Sequence, residues 1–275
     1  MALTSKSLDS NLRLAFESQA GVTRLTHRQA GGLCHIGKPY WDGRTLLTQL
    51  INPTAGLFSG DRLKADITLG ENSSVLLSSP SACRLHSMES GSSEVVQQFT
   101  LGPNSHLEVL PDLLIPQASS HGSVRTRIDL HESASLAFLD ILAPGRLAHG
   151  ESLAFRHFAT ALDIYRDGLP LARERARLTP STDAWRLQTH VGQPAFVATL
   201  WLHLPRVDGL SELLSTGESL LSEKTIHVGA TELAPHFGVF RLLTPCSLSL
   251  RKACLHLREH LAPSIPQLLT RTGKF

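Results

Sequence analysis

The residues able to do chemistry here are one histidine-rich helix segment, a few carboxylates and one dense loop. The segment His256-Leu257-Arg258-Glu259-His260 sets two histidines four apart, on one face of a helix, with a carboxylate beside them. That is the inverted zinc-peptidase pattern. Such a site needs a third protein ligand well downstream, and the fifteen residues after His260 include no acid. A zinc metallopeptidase using His256, Glu259 and His260 is therefore the alternative reading. Among the carboxylates, Glu108 lies inside the strand pattern Leu107-Glu108-Val109-Leu110-Pro111, Asp140 follows Leu139, and Glu151 follows Gly145-Arg146-Leu147-Ala148-His149-Gly150. A carboxylate within an apolar strand is costly unless it is paired or wet. Arg125, Arg127, Arg146 and Arg175 are available to pair; the other option is a water-filled passage for cations. Cys83 and His86 share one segment, which suits a transient soft-metal contact as well as a buried thiol beside a polar loop.

The loop is Asn52-Pro53-Thr54-Ala55-Gly56-Leu57-Phe58-Ser59-Gly60-Asp61-Arg62-Leu63. Asn-Pro starts a turn, since proline pushes the residue before it out of the helical region. Gly56 and Gly60 permit positive φ or close backbone approach. Asp61 stands where a phosphate-binding loop needs lysine, and a carboxylate there repels phosphate. The chain has no G-x-x-x-x-G-K-[ST], no G-x-S-x-G and no H-E-x-x-H. The plain reading of the loop is a decorated turn with a surface ion pair at Asp61-Arg62.

The elements that position these residues show an internal repeat. Ile67-Thr68-Leu69-Gly70-Glu71-Asn72-Ser73-Ser74-Val75-Leu76-Leu77 aligns with the segment from Phe99 to Val109 and with that from Ile128 to Phe138, at offsets of 32 and 29 residues. Each copy is an alternating strand, a polar turn and a second alternating strand. Leu162 to Leu171 is a weaker fourth copy, in which Asp167-Gly168 signals a hairpin. Alternation puts Val75, Leu77, Leu107, Val109, Leu136 and Phe138 on one face, and Leu76, Glu108 and Ala137 on the other. Such units bury a core only by stacking. The expected fold is mainly β, a β-helix or solenoid-like stack of short strands, with about two helices toward the C-terminus. A single domain over 1–275 is expected, with a β-rich core at about 10–205 and a mixed part at about 206–275. In the mixed part, Phe196–Leu204 and Phe237–Leu243 read as strands. Gly209–Gly217 reads as a short helix bounded by glycines. Ser247–Leu261 reads as an amphipathic helix with Leu248, Cys254, Leu255 and Leu261 on its apolar side, ended by Pro263 and Pro266. The tail from Leu268 reads as loose or partner-ordered.

Composition narrows the function classes. The 275 residues are 41% hydrophobic and 18% charged, ordinary for a globular protein with a core, and the net charge of +2 argues against a nucleic-acid binder. No run of 18 apolar residues marks a membrane span, and Asp9 and Glu17 interrupt any signal peptide. Cys34, Cys83, Cys246 and Cys254 show neither zinc spacing nor a disulfide framework, and read as reduced thiols in the cytoplasm. Three Trp and two Tyr are few for a carbohydrate-stacking platform, so a polymer-binding solenoid ranks last.

An ordered series of motifs resembles a known family, the urease accessory protein UreD, also called UreH. The series runs from the loop Asn52–Leu63 through Leu77-Ser78-Ser79-Pro80-Ser81-Ala82-Cys83-Arg84, Leu107–Pro111 and Arg125-Thr126-Arg127-Ile128-Asp129-Leu130. It continues with Gly145–Glu151 and closes on Arg166-Asp167-Gly168, covering about residues 10–180. The chain departs from the family pattern at Thr54-Ala55, Ser78-Ser79 and His86. The resemblance implies a β-rich stack with two helices and a non-enzymatic role in urease maturation. It implies a scaffold that binds urease apoprotein, a UreF-like helical protein and a UreG-like GTPase. Such a scaffold assists GTP-dependent nickel insertion through an internal passage. Asp61, Glu108 and Glu151 match acidic positions of the motifs and are the candidate passage lining. Asn52, Pro53, Gly56, Gly60, Asp61 and Arg62 form the signature loop. No stably bound cofactor or metal is implied, only transient nickel(II).

Overall fold

The computed structural model describes residues 7–180, 194–222 and 225–265. The chain opens with the hairpin β1 (Asp9–Gln19) and β2 (Val22–Gln29), followed by β3 (His35–Ile36), β4 (Tyr40–Asp42) and β5 (Thr45–Ile51). It then winds in coils of three strands. The first coil is β6 (Gly56–Leu57), β7 (Arg62–Leu69) and β8 (Ser74–Ser78). The second is β9 (Cys83–Leu85), β10 (Ser93–Leu101) and β11 (His106–Leu110); the third is β12 (Leu114–Pro116), β13 (His121–Leu130) and β14 (Ser135–Leu142). A 3-10 turn at Leu147–His149 leads to β15 (His157–Arg166), which starts a fourth coil but turns back as β16 (Leu169–Leu178). The rest is β17 (Phe196–His203), α1 (Leu210–Leu221), β18 (His227–Ala234), β19 (Phe237–Thr244) and α2 (Ser247–Leu261). This is the mainly β, solenoid-like stack with two C-terminal helices that the repeat predicts.

Among the described residues the strands make two large facing sheets. The first runs β16-β15-β13-β10-β7-β1-β2 and the second β18-β19-β17-β14-β11-β8-β5-β3, with β6, β9 and β12 forming a short third wall. The register is that of the repeat. Ile67, Phe99 and Ile128 sit side by side in parallel strands, as do Val75, Leu107 and Leu136. The turns stack with them: Asn72 and Asn104 take left-handed backbone, and His106 N–H donates to Ser73 O while Ser135 N–H donates to Ser105 O, both at 2.8 Å. The fourth copy is shifted by two residues, so that Ile164 rather than Leu162 faces Ile128. A two-residue shift keeps each side chain on its face. At Asp167-Gly168 both residues have positive φ, and β16 folds back antiparallel and ends the coiling.

Alternation divides the interior into two layers. Val75, Leu77, Leu107, Leu136 and Phe138 fill the space between the sheets. Leu76 and Ala137 face the other way, toward α1 and α2. Helix α2 has the predicted bounds, but its apolar stripe is Leu250, Ala253, Cys254, Leu257 and Leu261. Leu248, expected in that stripe, is 59% exposed. Helix α1 runs through Gly217, the glycine expected to end it, because that position is a contact point. A Cβ there would lie 2.9 Å from the Phe240 ring. The predicted loose tail from Leu268 lies outside the described residues.

Candidate functional site

The two sheets leave space between them at the third coil and the strands that follow it. Where β13, β15 and β16 face β14, β17 and β19, threonines and charged residues interrupt the apolar inward positions. There they enclose a cavity of about 320 Å³. Cross-strand register sets two facing rows: Asp140, Thr199 and Arg241 on the second sheet, and Thr126 and Glu174 on the first, with Leu162 between them. Thr160 and the apolar side chains Phe138, Leu162 and Trp201 complete the middle of the wall. Arg241 Nη2 meets Glu174 Oε1 at 2.5 Å, a bond that spans the gap between the sheets.

Asp140 is both accessible and deep. Its surface counts as exposed, yet burial, with the charge of Glu174 adding to it, pushes its pKa up to about 6. The two observations agree once the cavity is considered, because a side chain projecting into an internal space touches water while protein surrounds it. The carboxylate is therefore accessible to solvent, with the backbone of Ile141 as its hydrogen-bond partner rather than a cationic side chain.

The three acids expected to line a passage are placed elsewhere, and none of them borders this cavity among the described residues. Asp61 is 3% exposed and accepts the N–H groups of Leu8 (2.9 Å) and Phe58 (2.8 Å). It ties the signature loop to the start of the described chain through backbone donors, not through an arginine. Glu108 points into the helix layer. There Arg258 grips it with Nε at 2.7 Å and Nη2 at 3.0 Å. Glu151 holds Arg146 through two nitrogens and also accepts Ala118 N–H at 3.1 Å; the guanidinium keeps its carboxyl below the usual range. In the same loop region Asn52 Oδ1 accepts from Thr54 N (3.0 Å), Thr54 Oγ1 (2.7 Å) and Gly56 N (3.2 Å). A Cβ on Gly56 would lie 2.2 Å from Arg84 O, so glycine is what lets β6 lie against β9. Pro53 and Arg62 are exposed.

The comparisons with known proteins converge. The family model described as UreD urease accessory protein matches residues 9–273. Urease accessory protein UreD 2 of Pseudomonas syringae pv. tomato is 30% identical over 268 residues, 96% of this chain and 93% of that protein. The chain belongs to the UreD family of urease accessory proteins. The UreD of Opitutus terrae is 40% identical over 157 residues, so this chain spans 58% of that relative's length, from 56% of its own. The UreD of Herpetosiphon aurantiacus is 33% identical over 195 residues, 70% of this chain and 68% of that protein. Membership supports a role in urease maturation.

Two other groups of residues can be judged within this UreD fold. Burial pushes the Cys83 thiol up to about 11, and His86 stacks on Phe58 with ring centres 4.2 Å apart. Among the described residues no three His, Cys, Asp or Glu side chains group as a metal site. The H-x-x-E-H segment is not a zinc centre. His256 and Glu259 are exposed on α2, and His260 Nε2 bonds Leu213 O on α1 at 3.0 Å. Leu257 of that segment lies in the core, and the charged residue that reaches inward is Arg258. No helix among the described residues is long and apolar enough to cross a membrane.

Sequence reasoning missed Glu174, Arg241 and Arg258. A signal for the first was present. In Leu171-Ala172-Arg173-Glu174-Arg175-Ala176-Arg177, the arginines alternate outward, so Glu174 falls in the inward register between two alanines.

Proposed function

We propose that this UreD chain is a non-enzymatic scaffold of urease maturation, and that nickel(II) crosses it through the cavity between its sheets during GTP-dependent insertion. A UreF-like helical protein, a UreG-like GTPase and urease apoprotein are the partners in this reading. The observation that carries it is the solvent-accessible carboxylate of Asp140, which faces Glu174 in a cavity lined by threonines and apolar side chains and has no cationic partner of its own among the described residues. Carboxylates, threonine hydroxyls and water hold a borderline ion such as nickel(II) loosely, as a conducting path requires. The Glu174–Arg241 pair cancels its own charge and leaves Asp140 as the cavity's net negative charge, and an arriving cation competes with the guanidinium for Glu174. Asp61, Glu108 and Glu151 have supporting parts, as straps that hold the loops and α2 around the passage. Leu220 on α1 and Leu248 on α2 are 58% and 59% exposed, which supports docking of a helical partner on the helix layer.

The test is reconstituted urease activation with Asp140→Asn/Glu174→Gln. The expected result is at least a tenfold fall in urease nickel content and activity, while the variant still co-purifies with urease subunits and the other accessory proteins. Unchanged nickel content would sink the passage. Failure of the unmodified chain to co-purify would sink the scaffold.

A further inference from the structure

The strongest cluster that the cavity does not use is a pair of histidines. His121 opens β13, His157 opens β15, and the parallel ladder sets the two side by side. Their ring centres are 5.2 Å apart with planes at 81°. Both side chains are partly exposed. Two imidazoles on one ion, each bound through nitrogen at about 2.0–2.1 Å, have ring centres about 4.5–5.2 Å apart for angles from square to tetrahedral. The observed spacing meets the tetrahedral end of that range. Ligation requires a ring to turn about χ2 so that a nitrogen of each faces one point, and that torsion is broad for histidine.

The surroundings favour ligation. His157 Nδ1 bonds Thr179 Oγ1 at 3.1 Å, which leaves Nε2 for an ion. A ligating histidine ordinarily gives its other nitrogen to such a partner, which fixes tautomer and ring orientation. The neighbouring Arg156 is held by its own bonds, Nη2 to Met88 O at 2.5 Å and to Ser119 O at 3.3 Å, although its charge still acts on His121.

We propose that His121 and His157 form a two-imidazole site for a divalent cation of the nickel or zinc type. No third His, Cys, Asp or Glu joins them among the described residues, so water fills the remaining positions and the ion exchanges readily. His157 precedes Phe158, which borders the cavity. Use of the bound ion as cargo rests on the passage reading; the site itself does not.

The experiment is nickel(II) titration of the full chain by calorimetry, with copper(II) electron paramagnetic resonance as the ligand count. One nickel equivalent is expected to be lost, or weakened at least tenfold, in His121→Ala and in His157→Ala. The copper spectrum should show coupling to two nitrogens, falling to one in each variant. His121→Phe and His157→Phe keep the edge-to-face packing, and so report on the site even where the alanine variants unfold. Asp140→Asn should retain the nickel equivalent while failing in urease activation, which separates this site from the passage. Unchanged nickel affinity and stoichiometry in the double phenylalanine variant, or a copper spectrum without two-nitrogen coupling, overturns the proposal.

Discussion

Replacing Arg258 with alanine tests how α2 is held to the coil. Glu108 is 2% exposed and the Arg258 side chain 15%, and two hydrogen bonds join them. Removing the guanidinium leaves a carboxylate with no way to reach water, and breaking a buried pair in this manner costs about 3–5 kcal/mol. The cost depends on pH. Burial already raises the Glu108 carboxyl above its ordinary value against the pull of Arg258, and without Arg258 it rises further. A carboxyl raised in the folded state contributes stability below its unfolded pKa and loses it as pH climbs through the folded value. The Arg258→Ala deficit should therefore be small near pH 5 and widen toward pH 8, by up to about 1.4 kcal/mol per pH unit. Glu108→Gln should cost about 1–2 kcal/mol at all pH values, because its amide still accepts a bond and Arg258 can turn to solvent. Combining Glu108→Gln with Arg258→Met should recover more than half of the Arg258→Ala loss. Urea unfolding followed by tryptophan fluorescence, at pH 5 and pH 8, reads all of these. A deficit below about 1 kcal/mol at pH 8, the size of an exposed pair, would refute the reasoning, as would equal deficits at the two pH values.

Three further outcomes follow from single contacts. Asp140, raised to about 6, makes the wild type lose stability as pH rises from about 4 through 6. Water in the cavity screens the effect to below about 1 kcal/mol, and Asp140→Asn should flatten that slope in melting-temperature profiles. Gly56→Ala places a methyl group 2.2 Å from the Arg84 carbonyl and should lower stability by about 1–3 kcal/mol in urea titrations. Asp61→Ala strands two backbone donors, and about 1.5–3 kcal/mol per charged bond is at stake. Limited proteolysis should then cut within residues 52–62, and wild-type resistance there would count against Asp61 as the strap.

Much of the coil was legible in the residues. The repeat places Ile67, Phe99 and Ile128 in one row and Val75, Leu107 and Leu136 in another, as the ladder does. It also puts Glu108 on the face opposite the inter-sheet layer. Helix α2 was equally clear, while the inward reach of Arg258 was hidden because the H-x-x-E-H pattern draws attention to its neighbours. The oddity of Asp140 in an apolar strand was visible; that it faces a cavity was not, since alternation reports parity and not what stands across the gap.

Local pattern determined the period, the strand faces and the bounds of α2, because these depend on side chains a few residues apart. Tertiary structure alone decided which acid is paired and which is wet. Glu108 finds its arginine 150 residues away, and Glu174 finds Arg241 at 67. Asp140 lines the cavity opposite Glu174, where no cationic side chain among the described residues pairs with it. The charge of a carboxylate belongs to its sequence; its surroundings are set by distant segments that meet only on folding, and desolvation and pairing there decide whether it straps, or solvates an ion.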